Sequence, residues 1–197
     1  MKKKSCLLLV IILLLSACEI PGAVLSPPGA ASGAAPLLTP GCISTEPTQS
    51  DIDRTLAFTD NLFSGADWAR SYTVEAGHVY ASWSNGSLGA LAFAEALIFQ
   101  CGYADSDLDG YYTDTNWRII FANYESYQPV SECRSKDGLR LYQFAAVKEG
   151  YDYAIKYWVL KDSATRVMEM MVVFPVESKA LLDEHSAKLF PELTNCN

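Results

Sequence analysis

The segment Asp105-Ser106-Asp107-Leu108-Asp109-Gly110 places three carboxylates at alternate positions and ends on a glycine. A backbone that coils round a hard cation turns alternate side chains inward, and Ca²⁺ asks for about six to eight oxygen ligands. Asp105, Asp107 and Asp109 would supply carboxylate oxygens, Tyr111 a backbone carbonyl and Thr113 a hydroxyl. Three aspartates within five residues also repel one another unless a cation neutralises them. A second group of residues could do nucleophilic chemistry. Ser87 lies in Asn85-Gly86-Ser87-Leu88-Gly89, with Asp162 and His185 further along the chain. A serine hydroxyl becomes a nucleophile only when a base such as histidine, oriented by a carboxylate, takes its proton.

Each arrangement resembles a known one and departs from it. The acidic segment resembles the first half of an EF-hand calcium loop, which implies calcium as a cofactor. The twelfth position, however, is Asn116 where that loop carries a bidentate glutamate, so the carboxylate would have to come from Asp114. The bland alternative is an acidic surface turn, since Asp109-Gly110 is a common turn pair. The serine segment resembles the nucleophile elbow of α/β-hydrolases, with Asn85 in place of its first glycine. Too little chain precedes Ser87 to build the strands before such an elbow. Ser87 as a helix N-cap and His185 as a helix-face residue explain both without catalysis. No His-Glu-x-x-His, phosphate loop or Cys-x-x-Cys occurs, and the expected role is non-catalytic.

These residues sit in a chain with three compositional zones. Lys2, Lys3 and Lys4 precede an apolar run that ends at Leu15-Ser16-Ala17-Cys18. A basic stretch followed by about ten apolar residues is the layout of a secretory signal, well short of the ~20 needed to span a bilayer. Leu15 to Cys18 resembles the lipobox of bacterial lipoproteins at all four positions. That resemblance implies cleavage after Ala17, a diacylglyceryl group on the Cys18 sulfur and a further palmitate-type chain on the new amine. The mature protein would then be held at the extracytoplasmic side of the cell envelope through its acyl chains. With Glu19 and not aspartate after the lipidated cysteine, the resemblance points to the outer membrane where two membranes exist.

Residues 18–50 form the second zone. They hold Pro21, Pro27, Pro28, Pro36, Pro40 and Pro47, six of the nine prolines, which predicts a linker without a core. Residues 19–41 as a flexible chain would span roughly 25–30 Å. The globular domain is expected over 51–197. The full chain carries 15 basic and 23 acidic residues. Removal of the three signal lysines leaves 12 against 23, a net charge of −11. Such a surface repels phosphate backbones and anionic headgroups, which excludes nucleic acid as a partner and leaves an envelope protein or a small ligand.

Four cysteines follow Cys18, namely Cys42, Cys101, Cys133 and Cys196, and an even number in an exported chain predicts two disulfides. The favoured pairing is Cys101–Cys133 with Cys42–Cys196, closures worth about 4 and about 5 kcal/mol.

Hydrophobic periodicity predicts an α+β domain: an antiparallel sheet with a C-terminal three-strand meander, packed with two main helices. Strands are expected over 78–83, 117–124, 127–133, 139–147, 151–160 and 166–174, with a short helix within 51–62. The two main helices are expected over 88–101, through Leu91, Ala94, Ile98 and Cys101, and over 178–190, through Leu182, His185 and Leu189. Glu95 would lie on the exposed stripe of the first helix, a buried acid being the alternative. Met168, Met170 and Val172 against Val167, Met171 and Val173 make one strand apolar on both faces, so both faces should be covered. Tyr151, Tyr153 and Tyr157 share a parity and could line an open face for carbohydrate or peptide. The alternative is a core edged with phenol hydroxyls.

Overall fold

The computed structural model describes residues 46–57 and 62–196; Cys18, Cys42 and most of the linker lie outside them. Seven strands build one antiparallel sheet: β1 (Ala69–Glu75), β2 (His78–Asn85), β3 (Ala90–Ile98), β4 (Ser126–Arg134), β5 (Arg140–Lys148), β6 (Tyr151–Lys161) and β7 (Arg166–Pro175). Their order is β1-β2-β3-β7-β6-β5-β4. The helices are α1 (Gln49–Ala57), α2 (Asp105–Tyr111), α3 (Asp114–Ile120) and α4 (Lys179–Leu189). The α+β class, the antiparallel sheet and the C-terminal meander are as expected.

The central strand β7 is buried along nearly its whole length. Its odd residues Val167, Met171 and Val173 pack with Leu108, Trp117 and Phe121 of the α2–α3 segment. Its even residues Met170, Val172 and Phe174 pack with Leu182 of α4 and with Phe63. Cover on both faces is why this strand reads as continuously apolar. Edge strand β1 is exposed at every position.

Two elements differ from expectation. Residues 88–101 contain a strand, β3, where helical spacing predicted a helix. Alanine, leucine and glutamate favour helices intrinsically, but tertiary pairing overrides so weak a preference. The period-2 signal is one of size: Ala90, Ala92, Ala94 and Ala96 face one side, while Leu91, Phe93, Glu95 and Leu97 face the other. The small face leaves room for Trp83 and Trp158, both in the same cluster. Residues 117–124, expected as a strand, instead begin inside α3, where Trp117 and Phe121 stand one turn apart on the sheet-facing side.

Turns fix the hairpins. Glu149 and Gly150 both take positive φ, at 53° and 76°, as a tight two-residue connection requires. Gly89 has φ +61°, and a Cβ there would lie 3.3 Å from the Pro175 ring. Helix α1 is tied to the sheet by charge. The Thr48 amide and hydroxyl donate to Asp51 at 2.8 and 2.7 Å, and Arg166 on β7 donates to the same carboxylate at 2.6 Å.

The disulfide pairing also departs from the favoured one. Cys133 is bonded to Cys196, a separation of 63 residues, which rules out both Cys101–Cys133 and Cys42–Cys196. Cys101 is itself disulfide-bonded. The register of β4 explains the partner choice. Tyr127 and Pro129 pair with Ala146 and Phe144 on the α3 face, but the register shifts between Pro129 and Ser131. Beyond that bulge, Glu132 takes the α3 face opposite Tyr142 and Cys133 turns to the α4 face opposite Leu141, within reach of the C-terminal segment.

Candidate functional site

The sheet brings two acids together in its interior. Glu95 on β3 and Glu169 on β7 are directly opposite one another in the ladder. They are 8% and 2% exposed. Directly opposed side chains stand ~5 Å apart, and two full charges at that distance repel by ~3 kcal/mol at an effective dielectric of ~20. Both acids are therefore not ionised without cost. The hydroxyls of Tyr112 and Tyr157 bond to opposite oxygens of Glu169. Burial, and then the Glu95 carboxylate, push the Glu169 pKa from its ordinary 4.5 up to about 8, against the pull of the two phenols. At neutral pH the carboxyl is mostly protonated, so one phenol donates to it and the other accepts from its O–H. Burial likewise raises both phenol pKa values, and the Glu169 charge adds to it.

Glu95 faces the open half of the sheet. His78 Nδ1 lies 2.7 Å from Glu95 Oε1, a hydrogen bond between the imidazole and the carboxyl group. The Tyr80 hydroxyl is 3.3 Å from the same nitrogen, and its ring stacks on the imidazole at 5.6 Å. Ser82 on this side of β2 bonds to Ser71 of β1 at 2.8 Å. The polar residues of β1 and β2 thus form a shelf that slopes from solvent to the buried pair.

Tyr112 joins the acid pair to a cleft of about 270 Å³ between α3 and edge strand β4. Tyr112, Trp117, Tyr142 and Phe144 form its aromatic wall, and Asp114 and Glu132 stand at its rim. The Trp117 ring lies 4.9 Å from both Tyr142 and Phe144, at angles near 60°, which fixes the wall. Glu132 reaches this cleft because of the β4 bulge. Without the shift in register its side chain would point to the other face of the sheet.

The residues singled out in the sequence are placed otherwise. The acidic segment is the helix α2, where positions two apart are ~200° apart round the axis, so its carboxylates diverge. Asp105 pairs with Lys161 at 2.7 Å, Asp107 accepts from the Ala104 amide at 2.7 Å, and Asp109 is held by Arg134 and Arg140 at 2.8 and 2.6 Å. Asn116 donates to the Tyr111 carbonyl, and Thr113 is the N-cap of α3. The three carboxylates thus take separate partners round the helix. Among the described residues no group of three or more His, Cys, Asp or Glu side chains is placed to hold a metal.

Ser87 lies on the β2–β3 turn and donates to Asn85 at 2.8 Å. Asp162 lies on the β6–β7 turn, salt-bridged to Arg54 and Arg166. Because β3 and β7 are antiparallel, those turns are at opposite ends of strands nine and ten residues long, roughly 25–30 Å apart. His185 donates to its own helix at the Leu181 carbonyl and stacks on Phe63. The three are not assembled as a triad. The tyrosine face is divided as well. Tyr157 is in the core, Tyr153 lines a recess beside Tyr127 and Val176, and Tyr151 is 64% exposed. Glu95 proves to be the buried acid, on a strand.

No family model and no curated protein matches this chain. Among solved structures, that of human STARD10 aligns with 80% of this chain and 83% of its own, at 10% identity and a TM-score of 0.28. A likeness of that size does not establish a shared fold.

Proposed function

We propose that the protein is a bacterial lipoprotein anchored through Cys18, whose α+β domain binds a small ligand at the extracytoplasmic side of the envelope without acting on it chemically. The lipobox Leu15-Ser16-Ala17-Cys18 supports the address, with its basic and apolar leader. The observation that supports binding is the cleft between α3 and β4. Four aromatic side chains wall it, two carboxylates stand at its rim, and a bulge in the edge strand supplies one of them. Ligand sites combine an apolar wall with a few placed polar groups, and bulges gather at such sites.

Two experiments test the two halves. Expression with a clickable palmitate analogue labels the wild-type chain and leaves the Cys18→Ser chain unlabelled and uncleaved after Ala17. A Cys18→Ser protein that is still trimmed and still partitions with membranes refutes the anchor. For the domain, a thermal-shift panel of small cationic, neutral and anionic compounds should contain ligands whose stabilisation disappears in Glu132→Gln. A flat panel refutes binding at this cleft.

A further inference from the structure

We infer that the α3–β4 cleft takes a small organic ammonium ion, with the aromatic wall against the cation and Asp114 and Glu132 balancing its charge. The inference deepens the binding function proposed above and rests on it. Its basis is the chemistry of the lining. Trp117, Tyr142, Phe144 and Tyr112 form the floor of the cleft, each only 4–7% exposed, so a small group seated there meets ring carbon, and aromatic rings attract alkylammonium groups because the ring quadrupole is negative over the face. Among the described residues no lysine or arginine lines the cleft. Arg134 comes within 3.7 Å of Glu132, but its guanidinium is engaged by Asp109 at 2.8 Å, and Arg140 is bonded to the same Asp109 carboxylate at 2.6 Å. Asp109 offsets one of these two positive charges, and Arg140 also bonds to Tyr142 of the wall, so Asp114 and Glu132 leave the neighbourhood of the cleft with a net charge of about −1.

Other ligand classes fit less well. An anion would meet two carboxylates and the acidic balance of the whole chain. A neutral apolar ligand would draw nothing from Asp114 and Glu132 and would partly desolvate them. A bare divalent metal would find only two carboxylates where hard cations take six or more oxygens. Methylated or alkylated ammonium ions alone use both parts of the lining, since their carbons pack on rings and their charge is met at the rim. The volume of about 270 Å³ sits at the lower limit of small-molecule pockets, which suits a compact cation. Such a group reaches the envelope either as a free small molecule or as part of a lipid headgroup.

The test is isothermal titration calorimetry on the full chain in dodecylmaltoside. Its probes are choline chloride, the neutral isostere 3,3-dimethylbutanol, and glycerophosphocholine as an acyl-free headgroup. Choline is expected to saturate one site, with the neutral isostere at least about fivefold weaker. Binding of both choline and glycerophosphocholine identifies a headgroup-compatible site, and binding of choline alone identifies a site for the free cation. Asp114→Asn combined with Glu132→Gln is expected to raise the choline Kd about tenfold with an unchanged melting temperature, because both carboxylates are at the surface. The assignment is overturned by no saturable choline binding, by equal affinity for the isostere, or by an unaffected double variant. If neutral or anionic compounds stabilise the protein and ammonium ions do not, a binding domain remains and the ammonium assignment falls. If nothing binds, both fall.

Discussion

Replacing Glu169 by glutamine should stabilise the protein in alkaline solution and do little in acid. Glu169 carries its proton in the folded state to a pH of about 8, but would lose it near 4.5 in the unfolded chain. Between those values the unfolded chain binds fewer protons than the native one. Stability therefore falls as pH rises through this window and levels off above it. Each pH unit of the interval carries about 1.4 kcal/mol, so the full cost approaches ~5 kcal/mol, and relaxation around the charge reduces it to about 2–5. Glutamine keeps the size of the side chain and both hydrogen-bonding ends for Tyr112 and Tyr157, and it never ionises. The variant should match wild type within ~1 kcal/mol at pH 4.5 and exceed it by about 2–5 kcal/mol at pH 8.5. For a domain of this size that is roughly 5–15 °C in melting temperature. Urea melts of both proteins at half-unit pH steps measure the difference for the acid pair as a unit, since Glu95 stands opposite Glu169 and titrates with it. A difference that is constant with pH, or a wild type that gains on the variant as pH rises, refutes the assignment of a neutral Glu169.

Other perturbations have unequal expected costs. Lys156 is 1% exposed and donates to Asp183 at 2.7 Å and to the Thr194 carbonyl at 2.8 Å. Lys156→Met should leave stability within ~1 kcal/mol, since Asp183 keeps Lys179 at 3.0 Å, whereas Asp183→Ala strands a buried ammonium and should cost ~3–5 kcal/mol. Urea melts that rank the two in the opposite order would contradict this. Cys133→Ser with Cys196→Ser should cost about 4 kcal/mol, and non-reducing peptide mapping should recover those two cysteines in one linked peptide pair. Asp51→Ala should cost ~1–3 kcal/mol at neutral pH by releasing Thr48 and Arg166. Burial alone would raise the Asp51 pKa, but its Thr48 and Arg166 partners hold it below 3.8. That stabilisation is present above the unfolded value and is lost as pH falls through the folded one, so the two proteins should converge in strong acid.

Periodicity in the sequence located β2, the C-terminal meander and α4, because each alternates or repeats in hydrophobicity. It misplaced β3, where both faces are buried and the alternation is between alanine and large side chains. It also misplaced α3, whose β-branched Ile119 and Ile120 imitate a strand while Trp117 and Phe121 mark the helical turn. Glu95 stands in the sequence as an acid in an apolar run, and Glu169 lies in the same kind of run, Met168-Glu169-Met170. Their pairing is a property of strand order, with β3 beside β7 and Glu95 opposite Glu169, far apart along the chain, and no local pattern carries it. The cleft was equally hidden, since Glu132 and Tyr142 share a face only through the bulge at Pro129–Ser131. The acidic segment, expected as a loop, is a helix. Its spacing suited a coiled loop, but Lys161, Arg134 and Arg140, all distant in sequence, offer its carboxylates separate partners on a helix.

The geometry of the cover explains why polar chemistry collects on one face. Seven strands at a spacing of ~4.8 Å make a sheet ~29 Å wide, while α2 and α3, seven residues each, are only ~10 Å long and ~10 Å thick. Two such helices cover the β5–β6–β7 side and end near the Glu95–Glu169 pair, which therefore sits at the border between dry and wet sheet. On the uncovered side the exposed parity of β1 and β2 is Ala69, Ser71, Thr73 and Glu75 against Ser84, Ser82, Tyr80 and His78, with no aliphatic residue larger than alanine among them. Tyr112, at the junction of the two helices, holds their free end down through its bond to Glu169 and at the same time forms part of the cleft wall. An apolar residue at position 169 would fill the same space without the cost of a buried acid, but it would give Tyr112 no anchor. The cover and the cleft are therefore fastened at the one place where the core departs from apolar packing.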